Sequence, residues 1–296
     1  MRSHRWTIRA SSIAMLMAAI CTQPLARGDE ALRQRLLTEA PRGWDAWRER
    51  SRRLEGWGLG VYTGISPEGM LPWCTKSVFR FAGDSTLLET GFLIPGGPET
   101  SRTVVGRNDR YVFHLRRESP AAAWKTIHAG GDAQDFQDAE EAINESVLEH
   151  VEAPWVVVGK SLPTWIHEPG FTIRKVERVD EGDDARVKLE FDYEPAGHAA
   201  HDTAVRGGWI TFSPDEDWSV REYDLKLFWG RLVGTIRYDR DEEGNVILRS
   251  VDQRYGEAGS RNVACFDFHE YRRRDVPAEA FTLTAFGLPE FDAPDE

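Results

Sequence analysis

The closest group of metal-ligating side chains in the sequence is His198, His201 and Asp202, two imidazoles and a carboxylate within five residues. On a helix this spacing would place both imidazoles on one face, but the segment lies between two predicted strands, where a solvated loop is the expected structure. A structural zinc site takes about four protein ligands and a catalytic one about three. We therefore predict neither a metal site nor a cofactor.

The motifs of the common enzyme classes are absent. Residues 64–69 carry one residue too many for the G-x-S-x-G nucleophile turn, and Pro154 stands where a phosphate-binding loop before Lys160 would need a glycine. Acidic runs at 215–217 and 241–243 fall at predicted hairpin tips, where carboxylates are expected to stay hydrated. A glycosidase instead needs two carboxyl groups about 5–9.5 Å apart in a cleft. The sequence therefore predicts no catalytic residue and a protein that is not an enzyme.

Two cysteines, Cys74 and Cys265, lie beyond the N-terminal segment. In an oxidising compartment this even number permits one disulfide, which would stabilise the chain by ~4–5 kcal/mol on the chain-entropy model. Two separately buried thiols are the equal alternative, because the sequence does not give the distance between the two Cα atoms.

The N-terminus has the three parts of an export signal. Three arginines occur among the first nine residues, an apolar run follows at residues 10–22, and Ala26 and Gly28 supply small residues for cleavage. The apolar run is shorter than the roughly 20 residues that span a bilayer. We expect residues 1–28 to be removed and the protein to be periplasmic or extracellular. A lipid anchor on Cys21 and an uncleaved N-terminal anchor are the alternatives.

The mature chain is expected to be strongly acidic. Removal of residues 1–28 takes away four arginines and no carboxylate, so the formal charge changes from −12 to −16. Neither a basic stripe nor a Lys/Arg cluster is left in the sequence to neutralise phosphates. The charge therefore argues against a nucleic acid or an anionic membrane as partner, and we do not expect an integral membrane protein.

Most of the chain alternates apolar and polar residues with the period of a β-strand. Residues 207–255 predict four antiparallel strands in succession, with turn-forming clusters at 213–217, 230–231 and 241–245. The further predicted strands are 57–64, 76–81, 85–94, 101–107, 110–115, 123–128, 171–179, 187–194 and 263–272.

Three other segments are predicted to cover the sheet. Residues 29–55 have leucines at helical spacing that Pro41 interrupts, which indicates a helical hairpin or a bent helix. Residues 132–152 predict one amphipathic helix that lies on the sheet by its apolar stripe. Residues 281–290 predict a short edge strand or a strap.

Together these segments predict a single domain over residues 29–296. Its fold class is mostly β, of the α+β type, with a curved antiparallel sheet that forms an unclosed β-barrel. Helices at about 30–55 and about 132–152 are expected to cover this sheet.

One face of the predicted sheet is apolar and could bind a ligand. The residues that share this face are Leu189 and Phe191 in one strand and Tyr223, Leu225, Leu227 and Trp229 in another. Aromatic residues on such a face more often form core, because each buries about 150–250 Å². Exposed tryptophans such as Trp209, Trp218 and Trp229 would instead suggest stacking platforms for a sugar.

The order of these segments resembles the LolA/LolB/LppX group of exported carriers, and the closing segment resembles exported bacterial proteins without a known role. The resemblance rests on a leader, an amphipathic helix and a long meander interrupted by helices, with the strand and turn rhythm of GGWITFSPDEDWSVREYDLKL and LVGTIRYDRDEEGNVIL. It covers residues 30–275 as a pattern, without a diagnostic motif. The resemblance implies an unclosed barrel whose concave, helix-lidded side receives acyl chains.

Three functional hypotheses follow. The first is an exported, non-enzymatic protein that carries a lipid or lipoprotein acyl chain between sheet and helices. The second is a structural or protein-interaction module without a small ligand, and the third is a hydrolase or sugar-binding protein. An apolar cavity would favour the first, a solid core the second, and a polar cleft with convergent carboxylates the third.

Overall fold

A computed structural model describes residues 29–66, 69–94, 97–144, 155–157, 160–181, 184–194, 205–228, 230–256 and 262–291. The predicted export signal at 1–28, residues 145–152 of the predicted helix 132–152, the histidine-rich segment at 198–202, Trp229 and the tail at 292–296 lie outside these ranges.

The helices of the described residues are α1 (Glu30–Ser51), α2 (Ala133–Asn144) and α3 (Leu162–Trp165). α1 begins after Asp29, whose carboxylate accepts a hydrogen bond from the N–H of Leu32 at 3.1 Å. The helix continues through Pro41, so of the two forms predicted for residues 29–55, a hairpin or a bent helix, the hairpin is wrong. Burial of the apolar stripe outweighs the helical hydrogen bond that the proline removes.

The strands predicted from alternation are all present, and thirteen strands join in one antiparallel sheet. The strands are β1 (Arg53–Ser66), β2 (Gly69–Ala82), β3 (Ser85–Leu93), β4 (Glu99–Arg107), β5 (Val112–Arg117), β6 (Lys125–Gly130), β7 (Val156–Val157), β8 (Lys160–Ser161), β9 (Phe171–Glu181), β10 (Asp184–Tyr193), β11 (Val205–Ser213), β12 (Ser219–Leu227), β13 (Gly230–Arg240), β14 (Val246–Gly256) and β15 (Asn262–Arg273). β7 and β8 pair separately, as a two-stranded ribbon.

The large sheet consists of two meanders, β1 to β6 and β9 to β15, joined where β1 pairs with β15. Its edges are β6 and β9, which do not pair with each other, so the sheet is not closed. The prediction of a curved, unclosed antiparallel sheet with covering helices is therefore confirmed. The edge strand β9 is held by the start of α1, since the N–H of Asp29 donates to the carbonyl of Val176 at 3.0 Å.

The sheet is packed on both faces at β3, where neighbouring residues point to opposite sides. Leu88 belongs to the large cluster that includes the buried side of α1, and Leu87 belongs to a second, smaller cluster. We call the side facing α1 the inner face and the opposite side the outer face.

The inner face of β9 to β14 is closed by α1 and by residues 155–157 and 160–165. The indole of Trp44 lies 6.1 Å from that of Trp155, centroid to centroid, and its N–H donates to the carbonyl of Trp218 at 3.0 Å. Trp165 is fully buried and meets the rings of Phe191 and Tyr193 edge-on at 5.2 and 5.5 Å. Tryptophans therefore fill this half of the interior.

The outer face of β3 to β5 is covered by a C-terminal strap, which consists of residues 276–291. It contains two short 3-10 helices, Ala278–Phe281 and Leu283–Phe286, so the alternative of an edge strand is wrong. The amide of Asn108 donates to the carbonyl of Phe281 at 2.9 Å, and the hydroxyl of Tyr111 accepts from the N–H of Leu283 at 3.1 Å. Both hydrogen bonds fix the strap to the loop between β4 and β5.

Aromatic rings lie directly over glycines of the neighbouring strand on the inner face. A Cβ atom at Gly56 would come within 2.6 Å of the ring of Phe79, and one at Gly234 within 2.1 Å of the ring of Tyr223. Both pairs are directly opposite each other in the register. The glycines thus provide the space in which the rings pack flat against the sheet.

Both described cysteines are free thiols. Cys74 in β2 and Cys265 in β15 pair with the same residue, Val61 of the intervening β1. Two strand spacings, about 9–10 Å, exceed the Cα separation of a disulfide. The disulfide alternative is therefore wrong. Burial, with a contribution from Asp252, raises the pKa of the Cys265 thiol to about 11, so this thiol is unreactive at neutral pH.

Candidate functional site

The predicted apolar face lies on the inner face of the sheet and is buried. The exposed fractions are 1% for Leu189, 2% for Phe191, 0% for Tyr223, 0% for Leu225 and 8% for Leu227. All five belong to the cluster closed by α1, and Trp229 lies outside the described residues. A role of these side chains in ligand binding stays a prediction.

The inner face is more open at the far ends of β1, β2 and β3. Trp73 is 45% exposed and Phe92 is 38% exposed. The ring of Trp73 stacks on that of Tyr62, 5.3 Å away and tilted by only 10°. We call Tyr62, Trp73 and Phe92 the aromatic mouth.

Strand register places the members of the aromatic mouth on one face. Tyr62 is directly opposite Trp73, and Thr75, two residues further along β2, is opposite Phe92. Trp73 and Phe92 are therefore diagonal neighbours, about 7–8 Å apart, which is within reach of aromatic side chains. The ring of Phe266 adds an edge-on contact to Tyr62 at 5.1 Å.

Next to the aromatic mouth, towards the middle of β1 and β2, the inner face carries small residues. Gly60 is opposite Thr75, and Gly58 is opposite Ser77. Thr75 and Ser77 are 4% and 6% exposed. A Cβ atom at Gly60 would come within 2.8 Å of the ring of Phe266, so the protein's own rings cover these small residues.

A chain of polar groups runs beside the aromatic mouth. The hydroxyl of Tyr255 donates to the side-chain Oε1 of Gln253 at 2.6 Å, and the side-chain Nε2 of Gln253 donates to the hydroxyl of Tyr223 at 2.7 Å. Burial, with a smaller contribution from Tyr255, raises the pKa of Tyr62 to about 12. The Tyr62 hydroxyl is therefore neutral at physiological pH, and this end of the inner face presents hydrogen-bonding groups without charge.

Sequence reasoning placed the candidate site on β10 and β12 and missed the aromatic mouth. The sequence of β1 contains a signal for it, because glycine occupies every second position at Gly56, Gly58 and Gly60. Glycines at period two fall on one face of a strand and indicate close approach of other groups. The pairing of β1 with both β2 and β15, which surrounds these glycines with rings, was not readable from local sequence.

The other candidates do not form a site in the described residues. No group of three or more metal-ligating side chains is found there. Trp218 is 3% exposed, so it is core rather than a sugar platform. The acidic hairpin tips are structural: Asp217 forms an ion pair with Arg50, and Asp241 accepts the N–H of Asn245 at 2.8 Å. The prediction that these two carboxylates stay simply hydrated is therefore wrong.

None of the described helices is long and apolar enough to cross a membrane.

No protein-family model matches the chain, and the search of curated proteins also gives no match. Solved structures are similar to it at low identity. A DUF1329 family protein from Desulfovibrio piger aligns with a TM-score of 0.47 and 11% identity over 84% of this chain and 99% of that one. A LolA superfamily protein from Nitrosomonas europaea gives 0.43 and 10% over 84% and 99%.

A third similar structure is a domain from Vibrio parahaemolyticus described as an outer membrane lipoprotein-sorting protein. It aligns with a TM-score of 0.44 and 8% identity over 83% of this chain and 99% of that one. At these identities the function has to be argued from the residues of this chain.

Proposed function

We propose that this protein is an exported, non-enzymatic binding protein that holds one apolar chain, such as the acyl chain of a lipid or lipoprotein, on the inner face of its sheet. The observation that carries the proposal is the aromatic mouth, in which Trp73 stacks on Tyr62 while remaining 45% exposed. Monomeric proteins seldom leave grouped aromatic side chains half-exposed without a use for them.

The chemistry of the aromatic mouth suits a saturated chain with a small polar end. Each methylene group that leaves water contributes about 0.8 kcal/mol, so about ten of them contribute about 8 kcal/mol before the costs of ordering. The uncharged hydroxyls of Tyr62 and Tyr255 are able to hydrogen-bond an ester or a carboxyl group.

The larger part of the inner face favours a ligand at the end of the sheet rather than along all of it. Leu189 and Phe191 already pack against the protein's own side chains, and Trp165 closes over Phe191. An acyl chain would need to displace this packing to reach β10. The proposal therefore places the ligand near β1, β2 and β3.

A titration of delipidated protein with cis-parinaric acid, a fluorescent fatty acid, tests the proposal. The probe is excited directly, so that loss of a tryptophan does not change the signal. We expect saturable binding by the native protein and at least about tenfold weaker binding by Trp73→Ser and by Phe92→Ser, since each loses more than about 1.4 kcal/mol of apolar contact.

The matched control is Ile127→Ser, which removes an apolar side chain of 57% exposure from β6, away from the aromatic mouth. This variant should bind the probe as the native protein does. Equal affinity of the native protein and Trp73→Ser, or absence of saturable binding, would contradict the proposal.

A further inference from the structure

Five arginines line one cleft at the start of β1, the end of this strand that is opposite the aromatic mouth. The cleft has a volume of about 690 Å³, and its arginines are Arg50, Arg52, Arg53, Arg273 and Arg274. Only two carboxylates, Glu49 and Asp275, line it. We call it the arginine cleft. Such a concentration is unexpected in a chain whose formal net charge is −12.

These arginines come from two segments that are far apart in the sequence. Arg50 lies in the last turn of α1, and Arg52 and Arg53 lie where the helix passes into β1. Arg273 ends β15, and its backbone pairs with that of Leu54 in β1. The absence of a Lys/Arg cluster was inferred from the linear sequence, and the pairing of β1 with β15 creates one in space.

Structural roles account for only part of the arginine cleft. Arg50 sits at the C-terminal end of α1, where a cation offsets the helix dipole, and it forms an ion pair with Asp217. Arg274 contacts the largely buried Glu55, and Arg273 forms ion pairs with Asp241 at 3.0 Å and Glu243 at 3.5 Å. Arg52 and Arg53 have neither explanation, because they follow the helix and the ion pairs that they form among the described residues are with exposed carboxylates.

The ion pairs of Arg52 and Arg53 leave the donors of these two arginines available to other anions. Arg52 pairs with Glu49 at 3.1 Å and Arg53 with Asp275 at 3.4 Å, where the carboxylate side chains are 66% and 85% exposed. Exposed pairs of this kind contribute little and exchange readily with other anions. The Nε of Arg273 is buried and has no hydrogen-bond partner among the described residues. Each guanidinium carries five N–H donors, far more than these acceptors satisfy.

We propose that the arginine cleft binds a phosphate group. Planar guanidinium groups donate two parallel hydrogen bonds to phosphate oxygens, and several of them around one cleft match a tetrahedral anion with more than one negative charge. The phosphate can belong to an anionic lipid headgroup or to a soluble phosphate ester, since both present the same oxygens.

The site is separate from the aromatic mouth. Arg53 begins β1 and Tyr62 lies nine residues further along the same strand, which corresponds to about 30 Å of extended chain. The two proposals therefore stand or fall independently.

Two binding assays with the full chain distinguish the sources of the phosphate. Co-sedimentation uses vesicles of phosphatidylcholine with and without phosphatidylglycerol, and calorimetry uses glycerol 3-phosphate and inorganic phosphate. Binding to vesicles only when phosphatidylglycerol is present assigns a lipid headgroup, and binding of the soluble phosphates assigns a soluble ester. Either result supports the proposal if the triple variant Arg52→Gln, Arg53→Gln, Arg274→Gln binds about a hundredfold more weakly than the native protein. This factor corresponds to a loss of about fivefold in affinity for each arginine.

The control variant is Arg110→Gln, Arg116→Gln, Arg237→Gln, which removes the same charge from three arginines of 51–65% exposure outside the arginine cleft. It should bind within about threefold of the native protein, because the loss of overall charge alone acts weakly through salt. The proposal is overturned if neither phosphate source binds, or if the control weakens binding as much as the cleft variant does. Circular dichroism of both variants, together with urea denaturation, establishes that each is folded.

Discussion

At the scale of single residues, the polar groups of the inner face matter because they are hydrogen-bonded and uncharged. Tyr223 is fully buried, and its hydroxyl accepts from Gln253, which in turn accepts from Tyr255. A buried hydroxyl without a partner would cost about 1–3 kcal/mol, so this chain permits polar atoms in an otherwise apolar interior. Tyr62 extends the same neutral surface to the aromatic mouth.

The raised pKa of Tyr62 predicts how stability depends on alkaline pH. An unfolded tyrosine ionises near pH 10, whereas burial raises the pKa of Tyr62 to about 12. The unfolded chain therefore loses its proton first. The contribution of Tyr62 is fully present below about pH 10 and is lost as the pH rises from about 10 to 12.

Urea denaturation from pH 8 to about pH 11.5 measures this dependence. We expect the free energy of unfolding to fall less steeply above about pH 10 in Tyr62→Phe than in the native protein. A decline remains in the variant, because burial and the hydrogen bond to Glu168 also raise the pKa of Tyr193 to about 12. An unchanged slope in Tyr62→Phe would show that the Tyr62 hydroxyl is not buried as described.

At the scale of elements, α1 determines which part of the inner face is closed. Its buried side chains include Leu36, Trp44 and Trp47. Trp47 meets the ring of Tyr238 in β13 edge-on at 5.7 Å, and Trp44 reaches Trp155. The helix thus holds Trp155 at the sheet and leaves the ends of β1 and β2 open.

Substitution of Trp44 should remove much of this closure. Trp44→Ala deletes a side chain that is 2% exposed and leaves a cavity beside Trp155 and Phe212. We expect the free energy of unfolding to decrease by about 3–5 kcal/mol, as measured by urea denaturation. Gln34→Ala, on the exposed side of the same helix, should change it by less than about 0.5 kcal/mol. A loss below about 1 kcal/mol in Trp44→Ala would mean that the helix packs loosely on the sheet.

At the scale of the whole molecule, local patterns predicted the elements but not the contacts between distant ones. Alternation is a property of each strand, so β10 and β12 were predictable with the correct buried side. Pairing of β1 with β15 depends on residues more than 200 positions apart, such as Leu54 and Arg273, and no local pattern encodes it. The arginine cleft and the free state of Cys74 both follow from that pairing.

The errors in the predicted elements have the same physical origin. Pro41 is a local signal for a helix break, and burial of Leu36 and Ala40 on the sheet overrides it. Residues 281–290 have the composition of an edge strand, but Phe281 and Leu283 bury their side chains in the outer cluster as 3-10 turns. In both cases tertiary packing decides between local conformations of similar energy.

The central claim is that an apolar chain occupies the inner face at the aromatic mouth, and native mass spectrometry of protein purified from its own host tests it most directly. We expect a population that is heavier than the bare chain by the mass of an acyl lipid. Organic extraction should remove this lipid, and Trp73→Ser should not retain it. Protein that carries only its own mass, with no lipid in the extract, would contradict the claim.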